Sequence, residues 1–235
     1  GNVLGSTGGI GANKDETWQL LKLADMTSDG VVDLLLHNTE TFAYQVVALN
    51  PNRTEKVASS YTFTSTIPQD GNWLFEQLSD FNQDGHVDLL VRHKDDGRWK
   101  GFLLNGQGGL VPGSGNIAMS KDVNWRVVPK DEVEEETSLL ANDFNADGFG
   151  DVLVRNTNGK WWLYHLNGNR GLASGSGGVG LTSSTDWQLK AKADFNGGGF
   201  MVVLIRNQST GAWYLYHLNG NRGFSANTGS SIACA

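Results

Sequence analysis

One phrase recurs four times along the chain, and three of its copies carry acidic residues at spacings suited to a hard cation. The copies read Asp25-Met-Thr-Ser-Asp-Gly-Val-Val-Asp33, Asp80-Phe-Asn-Gln-Asp-Gly-His-Val-Asp88, Asp143-Phe-Asn-Ala-Asp-Gly-Phe-Gly-Asp151 and Asp194-Phe-Asn-Gly-Gly-Gly-Phe-Met-Val202. In the first three, oxygen-bearing side chains fall at loop positions 1, 3, 5 and 9, with Gly at 6. Such a loop wraps a cation by turning alternate carboxylates inward, and Gly permits the sharp bend. Three copies in register also mark the architecture as a repeat.

The loop departs from an EF-hand, which needs a bidentate Glu at position 12 and flanking helices. Position 12 is Leu36, Val91 and Val154, within apolar runs that end in His37-Asn38, Arg92-His93 and Arg155-Asn156. These β-branched and aliphatic runs predict buried strands, so the loop joins two strands. Seven residues before the first Asp stands Trp18, Trp73 or Trp187; Trp125 is separated from Asp143 by an acidic insertion over residues 129–139. A third strand is expected over residues 42–49, 98–104, 160–166 and 212–218, closing on Leu-Asn-Gly or Leu-Asn-Pro. A Gly/Ser-rich stretch then leads to the next Trp. Each unit of a little over fifty residues thus holds about four short strands. Units of this kind bury their faces only against one another, and radial stacking of four-stranded sheets is a β-propeller. The repeats fall at about 12–65, 66–119, 120–181 and 182–235, with 1–11 as a tail strand of a preceding or closing blade.

Composition narrows the partners. The chain has 31 Gly, 4 Pro and a net charge of −7, which argues against nucleic acid. No apolar run is long enough to span a membrane. Much of the negative charge lies in the loops, where three Ca²⁺ ions would reduce the net charge from −7 to about −1. A single Cys, Cys234, excludes an internal disulfide, leaving metal as the staple. Millimolar calcium is an extracellular condition, which predicts a secreted or cell-surface location.

The pattern Asp-Phe-Asn-x-Asp-Gly-x-x-Asp-hydrophobic-Leu-Val-Arg, preceded by Trp and followed by Trp-Tyr-Leu-Tyr-x-Leu-Asn-Gly, resembles the FG-GAP/VCBS repeats. These build the integrin α-subunit type of calcium-binding β-propeller and occur in secreted bacterial proteins and some lectins. The resemblance covers nearly the whole chain. It implies Ca²⁺ ligands at Asp25, Thr27, Asp29 and Asp33; Asp80, Asn82, Asp84 and Asp88; and Asp143, Asn145, Asp147 and Asp151, with the carbonyls of Val31, His86 and Phe149 at the seventh position. Gly198 and Val202 leave the fourth loop with Asp194 alone, so it is expected to be empty. Propellers of this family usually have seven blades. Four copies therefore imply a fragment of a longer array, a small closed ring or an associating half.

Trp18, Trp73, Trp125 and Trp187 recur at one repeat position and are expected in the blade core, as are Tyr44, Trp99, Trp161 and Trp213. The next column, Gln45, Lys100, Trp162 and Tyr214, has polar members that imply exposure. Trp162 and Tyr214, with the turn residues Arg170 and Arg222, are thus the candidate ligand contacts. His165 and His217 have no evident nucleophile or carboxylate partner in common, and are expected to be satisfied between blades. These readings favour a non-catalytic, lectin-like binding or adhesion module for a glycan or an extracellular protein. The alternative is a structural spacer or accessory domain of a larger secreted protein or hydrolase.

Overall fold

A computed structural model describes residues 15–52, 54, 56, 58–63, 67–128, 135–136, 142–225 and 231–232. The expected tail strand at 1–11, most of the acidic insertion and Cys234 lie outside these residues. The described chain is all-β, and four antiparallel four-stranded sheets form a four-bladed β-propeller. The first blade comprises β1 (Trp18–Ala24), β2 (Asp33–Asn38), β3 (Tyr44–Val47) and β4 (Tyr61–Thr62); the second comprises β5 (Trp73–Ser79), β6 (Asp88–His93), β7 (Trp99–Phe102) and β8 (Gly115–Ile117). The third holds β9 (Trp125–Val127), then, beyond a short strand β10 (Glu135–Glu136), β11 (Val152–Asn156), β12 (Trp161–Tyr164) and β13 (Gly177–Val179). The fourth holds β14 (Trp187–Ala193), β15 (Val202–Asn207), β16 (Trp213–His217) and β17 (Ser231–Ile232). The third strands are shorter than their apolar runs because the flanking residues turn into the next connection.

Alternation along the second strand decides how the blades stack. In β6, Leu89 and Val91 pack back onto the first blade with Tyr44, Val46 and Phe63, whereas Leu90 packs forward with Val127, Val152 and Val154 of the third. The same split recurs one blade later, where Leu153 joins Val203 and Ile205 of the fourth. The second strands β6 and β11 are therefore apolar on both faces over Leu89–Val91 and Val152–Val154, and each such side chain gains about 1.5–3 kcal/mol from burial. A β-bulge falls at the same place in the first strand of three blades, at Leu20/Lys22, Phe75/Gln77 and Leu189/Ala191. The repeat thus extends to backbone detail. β10 pairs in parallel with β1 at Leu23 and Ala24, so a strand of the third unit's insertion reaches the first blade.

Arginines at the end of the second strands lock consecutive blades. Arg155 lies over the Trp161 ring at 4.6 Å and donates to the carbonyls of Ser184, at 2.7 Å, and Trp187 in the next blade. Arg92 lies over Trp99 at 5.3 Å and donates to the Val123 carbonyl at 3.4 Å. It also pairs with Glu76 at 3.1 Å, and both side chains are fully buried. The indoles of Trp99 and Trp161 donate to the carbonyls of Ser120 and Thr182 at 2.7 and 2.8 Å.

Candidate functional site

Each acidic loop connects the first two strands of its blade, except that in the third blade β10 intervenes. All four loops have the same backbone turn. Positions 4 and 6 are left-handed, at Ser28 and Gly30 (φ 55° and 82°), Gln83 and Gly85 (63° and 83°), Ala146 and Gly148 (60° and 90°) and Gly197 and Gly199 (67° and 83°). Glycine at 6 was legible from the repeat; the positive φ at position 4, a strained value for Gln and Ala, was not. The position-1 carboxylate holds the turn by accepting from the amides of positions 5 and 6. Asp80 takes Asp84 N–H and Gly85 N–H at 3.2 and 2.9 Å, and Asp194 takes Gly198 N–H and Gly199 N–H at 3.0 and 2.8 Å.

The fourth loop therefore folds with a single carboxylate. The additional acids of the other three loops exceed what the turn requires. At position 5, Asp84 and Asp147 are held at their loop surfaces by Asn82 and Asn145, whose amides donate at 2.8 Å in both loops. The Asp84 amide stands 3.2 Å from both Asp80 Oδ1 and Asn82 Oδ1, and Asp147 N–H stands 3.2 and 3.1 Å from Asp143 Oδ1 and Asn145 Oδ1. Oxygens of positions 1 and 3 thus converge, and the donor set is hard and oxygen-only. Oxygen-only donor sets of this kind are the chemistry that hard cations prefer.

Position 9 has a second task. Asp33, Asp88 and Asp151 are fully buried. Asp88 accepts from Phe81 N–H and Leu104 N–H, each at 2.8 Å, which ties the loop to the end of β7. Asp151 accepts from Phe144 N–H at 2.9 Å and Leu166 N–H at 3.1 Å, and lies 2.9 Å from His165 Nδ1. Burial pushes the Asp88 carboxyl up to about 8 and raises Asp33 and Asp151 as well, against the lowering effect of these hydrogen bonds. Among the described residues no three His, Cys, Asp or Glu side chains form a metal-holding group by themselves. Position 3 supplies Asn or Thr, and the position-9 carboxylate is turned towards the core.

The first loop differs from the other two. Lys56 donates to Asp29 Oδ2 at 2.9 Å, setting an internal cation on position 5. Its hydrogen bond lowers the Asp29 carboxyl and raises the Lys56 ammonium. Thr27 Oγ1 donates to Asp33 Oδ2 at 3.1 Å. Sequence spacing singled out Thr27 but gave no sign of Lys56, which comes from the connection after β3. Neighbouring loops also touch: Ser28 Oγ lies 2.7 Å from His86 Nδ1, and a Cβ at Gly148 would overlap the Gln83 amide.

The ligand candidates fall in separate places. Trp162 is 37% exposed and stands edge-on to Trp125, with ring centroids 6.4 Å apart. The two rings, with Lys160, Gly178, Leu181 and Ser183, line a groove of about 390 Å³. In the second blade Lys100 occupies the equivalent place and covers Trp73 at 4.5 Å, which closes the corresponding surface. Tyr214 is half-buried against the core between the third and fourth blades, 6.4 Å from Trp187 and 4.7 Å from Tyr216. Arg170 and Arg222 adopt positive φ of 60° and 62° and lie across the preceding blade, where a Cβ at Gly115 or Gly177 would collide with them. Neither arginine lines the Trp162 groove.

His165 is buried beside Asp151, a carboxylate partner that sequence did not place there. The nearby Ser176 hydroxyl serves the backbone of His165, accepting from its N–H at 2.9 Å. His217 instead lies 3.0 Å from the Asn196 amide. Among the described residues no helix is long and apolar enough to cross a membrane. No protein-family model matches the chain, and no curated protein matches it.

Proposed function

We propose that the protein is a calcium-stabilised, non-catalytic binding module that recognises a glycan through the groove beside Trp162. The calcium reading rests on the surplus acids. Asp194 alone folds the fourth loop, yet three loops carry a further carboxylate at position 5 that the turn does not need, and at position 9 one that also serves backbone amides. Asp80, Asn82, Asp84 and Asp88, and Asp143, Asn145, Asp147 and Asp151, with the carbonyls of His86 and Phe149, would hold two ions. Asp25, Thr27, Asp29, Asp33 and the Val31 carbonyl would hold a third, more weakly, because Lys56 competes for Asp29. The bound ion supplies positive charge beside carboxyls that burial otherwise pushes towards neutrality. This arrangement is that of an FG-GAP/VCBS-type repeat and suits a secreted or cell-surface protein.

The ligand reading rests on the exposed indole of Trp162. An apolar ring flanked by Lys160 and Ser183 offers a stacking face with hydrogen-bond donors, the combination that selects a sugar ring. Tyr214, Arg170 and Arg222 do not line this groove and are no part of the proposed contact. A non-catalytic role is supported by His165 and Asp151, whose paired side chains are buried and whose neighbouring serine faces the backbone. A glycan array with the wild-type chain in Ca²⁺ is expected to give defined hits that Trp162→Ala lowers at least tenfold while its circular dichroism stays unchanged. A flat array from the folded wild-type chain would favour the spacer reading.

A further inference from the structure

The turn that leads into the third strand leaves a cation without a counter-charge in the third blade, and it does so at the mouth of the Trp162 groove. The second and third blades build this turn alike. Gly97 and Gly159 are left-handed (φ 69° and 87°), and a Cβ at either would collide with a backbone carbonyl, that of Lys121 or of Ser183. The side chain before each glycine accepts from the amide of the residue after it: Asp96 from Arg98 N–H at 3.0 Å, Asn158 from Lys160 N–H at 3.1 Å. The backbone is the same, but the carboxylate of the second blade is an amide in the third.

That difference decides what the cation meets. In the second blade the Arg98 guanidinium stands 2.7 Å from Asp96 and lies over the Trp73 ring at 5.8 Å, with Lys100 over the same ring at 4.5 Å. Both cations are thus occupied within their own blade. In the third blade Lys160 is exposed, and among the described residues its ammonium meets neither a carboxylate nor an aromatic ring. Of the described residues that line the groove it alone is ionisable, beside the indoles of Trp125 and Trp162. Lys160 immediately precedes β12, and Trp162 follows two residues on, so the two share one face of the sheet about 7 Å apart along the strand, whereas Trp161 turns into the core.

Taking the groove as the glycan site, on which this inference rests, we propose that it selects a hexuronate, a pyranose carrying a carboxylate, over neutral sugars. The occupant follows from charge complementarity: the groove holds a cation and no anion, and its indoles offer a face for a ring. The sugar stacks on Trp162 while its carboxylate, ionised at neutral pH, accepts from the Lys160 ammonium. Such a charge-assisted bond is roughly twice as strong as one between neutral groups. The net charge of −7 repels an acidic ligand at long range, so the selection is local.

Isothermal titration of the full chain in Ca²⁺ tests this with trimers of galacturonic, glucuronic and mannuronic acid, each beside its methyl ester, which keeps the ring and removes the charge. At about 0.05 M NaCl at least one acid should bind about tenfold more tightly than its ester, and the preference should shrink at about 0.5 M. Lys160→Gln should bring that acid and its ester within about twofold of each other. Asn158→Asp restores the second blade's pairing beside Lys160 without entering the groove. It should weaken the acid by about the same factor and leave the ester unchanged. Equal binding of acid and ester, or a preference that survives Lys160→Gln, would overturn the proposal and spare the glycan site. Failure of every acid, with neutral sugars still bound on the array, would do the same. No binding of any sugar would remove site and proposal together. A hexaglutamate peptide that binds as tightly as the best acid would show that charge alone is read, and would also overturn it.

Discussion

Asp88→Ala is expected to lower the unfolding free energy by roughly 2–6 kcal/mol, because it strips the acceptors from two buried amides at about 1–3 kcal/mol each. Those amides, Phe81 N–H and Leu104 N–H, belong to the loop and to the end of the third strand. The substitution therefore cuts a tie across the blade as well as altering the loop. Urea unfolding in the presence of chelator isolates this effect from any contribution of metal. Under the same conditions Asp84→Ala should cost below about 1 kcal/mol, since that carboxylate serves only local contacts at the surface of its loop. A loss below about 1 kcal/mol for Asp88→Ala would mean that the amides had found other acceptors. The fourth blade shows such a solution: with Val202 at this position, Phe195 N–H and Leu218 N–H use the carbonyls of Ala193 and Met201 at 3.0 and 3.2 Å.

Glu76→Ala is expected to cost about 3–5 kcal/mol by leaving the Arg92 guanidinium charged within the core. Both side chains are fully buried, so water cannot reach the orphaned charge without local opening. The pair is private to the second blade, where Leu21 and Val128 are the equivalents of Glu76 in the first and third. Joint replacement, Glu76→Leu with Arg92→Met, should recover most of the loss, because two apolar chains of similar volume need no partner. Chemical denaturation of the two single variants and the double variant closes this cycle. A Glu76→Ala loss within about 1 kcal/mol of zero would contradict the buried pair.

The blades were legible in the sequence because a period of a little over fifty residues exposes itself through Trp, the acidic loop and the Leu-Asn-Gly turn. Recurrence marked both aromatic columns, but it did not show that Trp18, Trp125 and Trp187 would be only half-buried or that Trp213 would stand half-exposed. Its three equivalents have a following blade to cover them, and a column of aligned residues carries no information about neighbours. The buried Arg92 was hidden for a related reason. At the end of an apolar run an arginine reads as a solvated strand end, and its partner Glu76 lies sixteen residues away on another strand. Loop spacing pointed to the oxygen-bearing residues and set the fourth loop apart by its single carboxylate. It gave no sign that Asp33, Asp88 and Asp151 hold backbone amides, nor that Lys56 sits on Asp29, because both depend on residues brought in from later connections. Arg170 and Arg222 were visible as departures from the repeat. Their placement across Gly115 and Gly177 was not, since it requires the neighbouring blade.

Calcium titration followed by thermal unfolding tests the central claim most directly. Saturating one site at about a hundred times its dissociation constant stabilises the fold by roughly 2.7 kcal/mol, so occupied loops should raise the melting temperature by several degrees. The account predicts tight binding at the second and third loops, a weaker third event at the first, and none at Asp194. Chelator should lower the melting temperature, and excess Mg²⁺ should restore it poorly because it demands six-fold geometry at shorter distances. A melting curve that is the same in chelator and in millimolar Ca²⁺ would contradict the account.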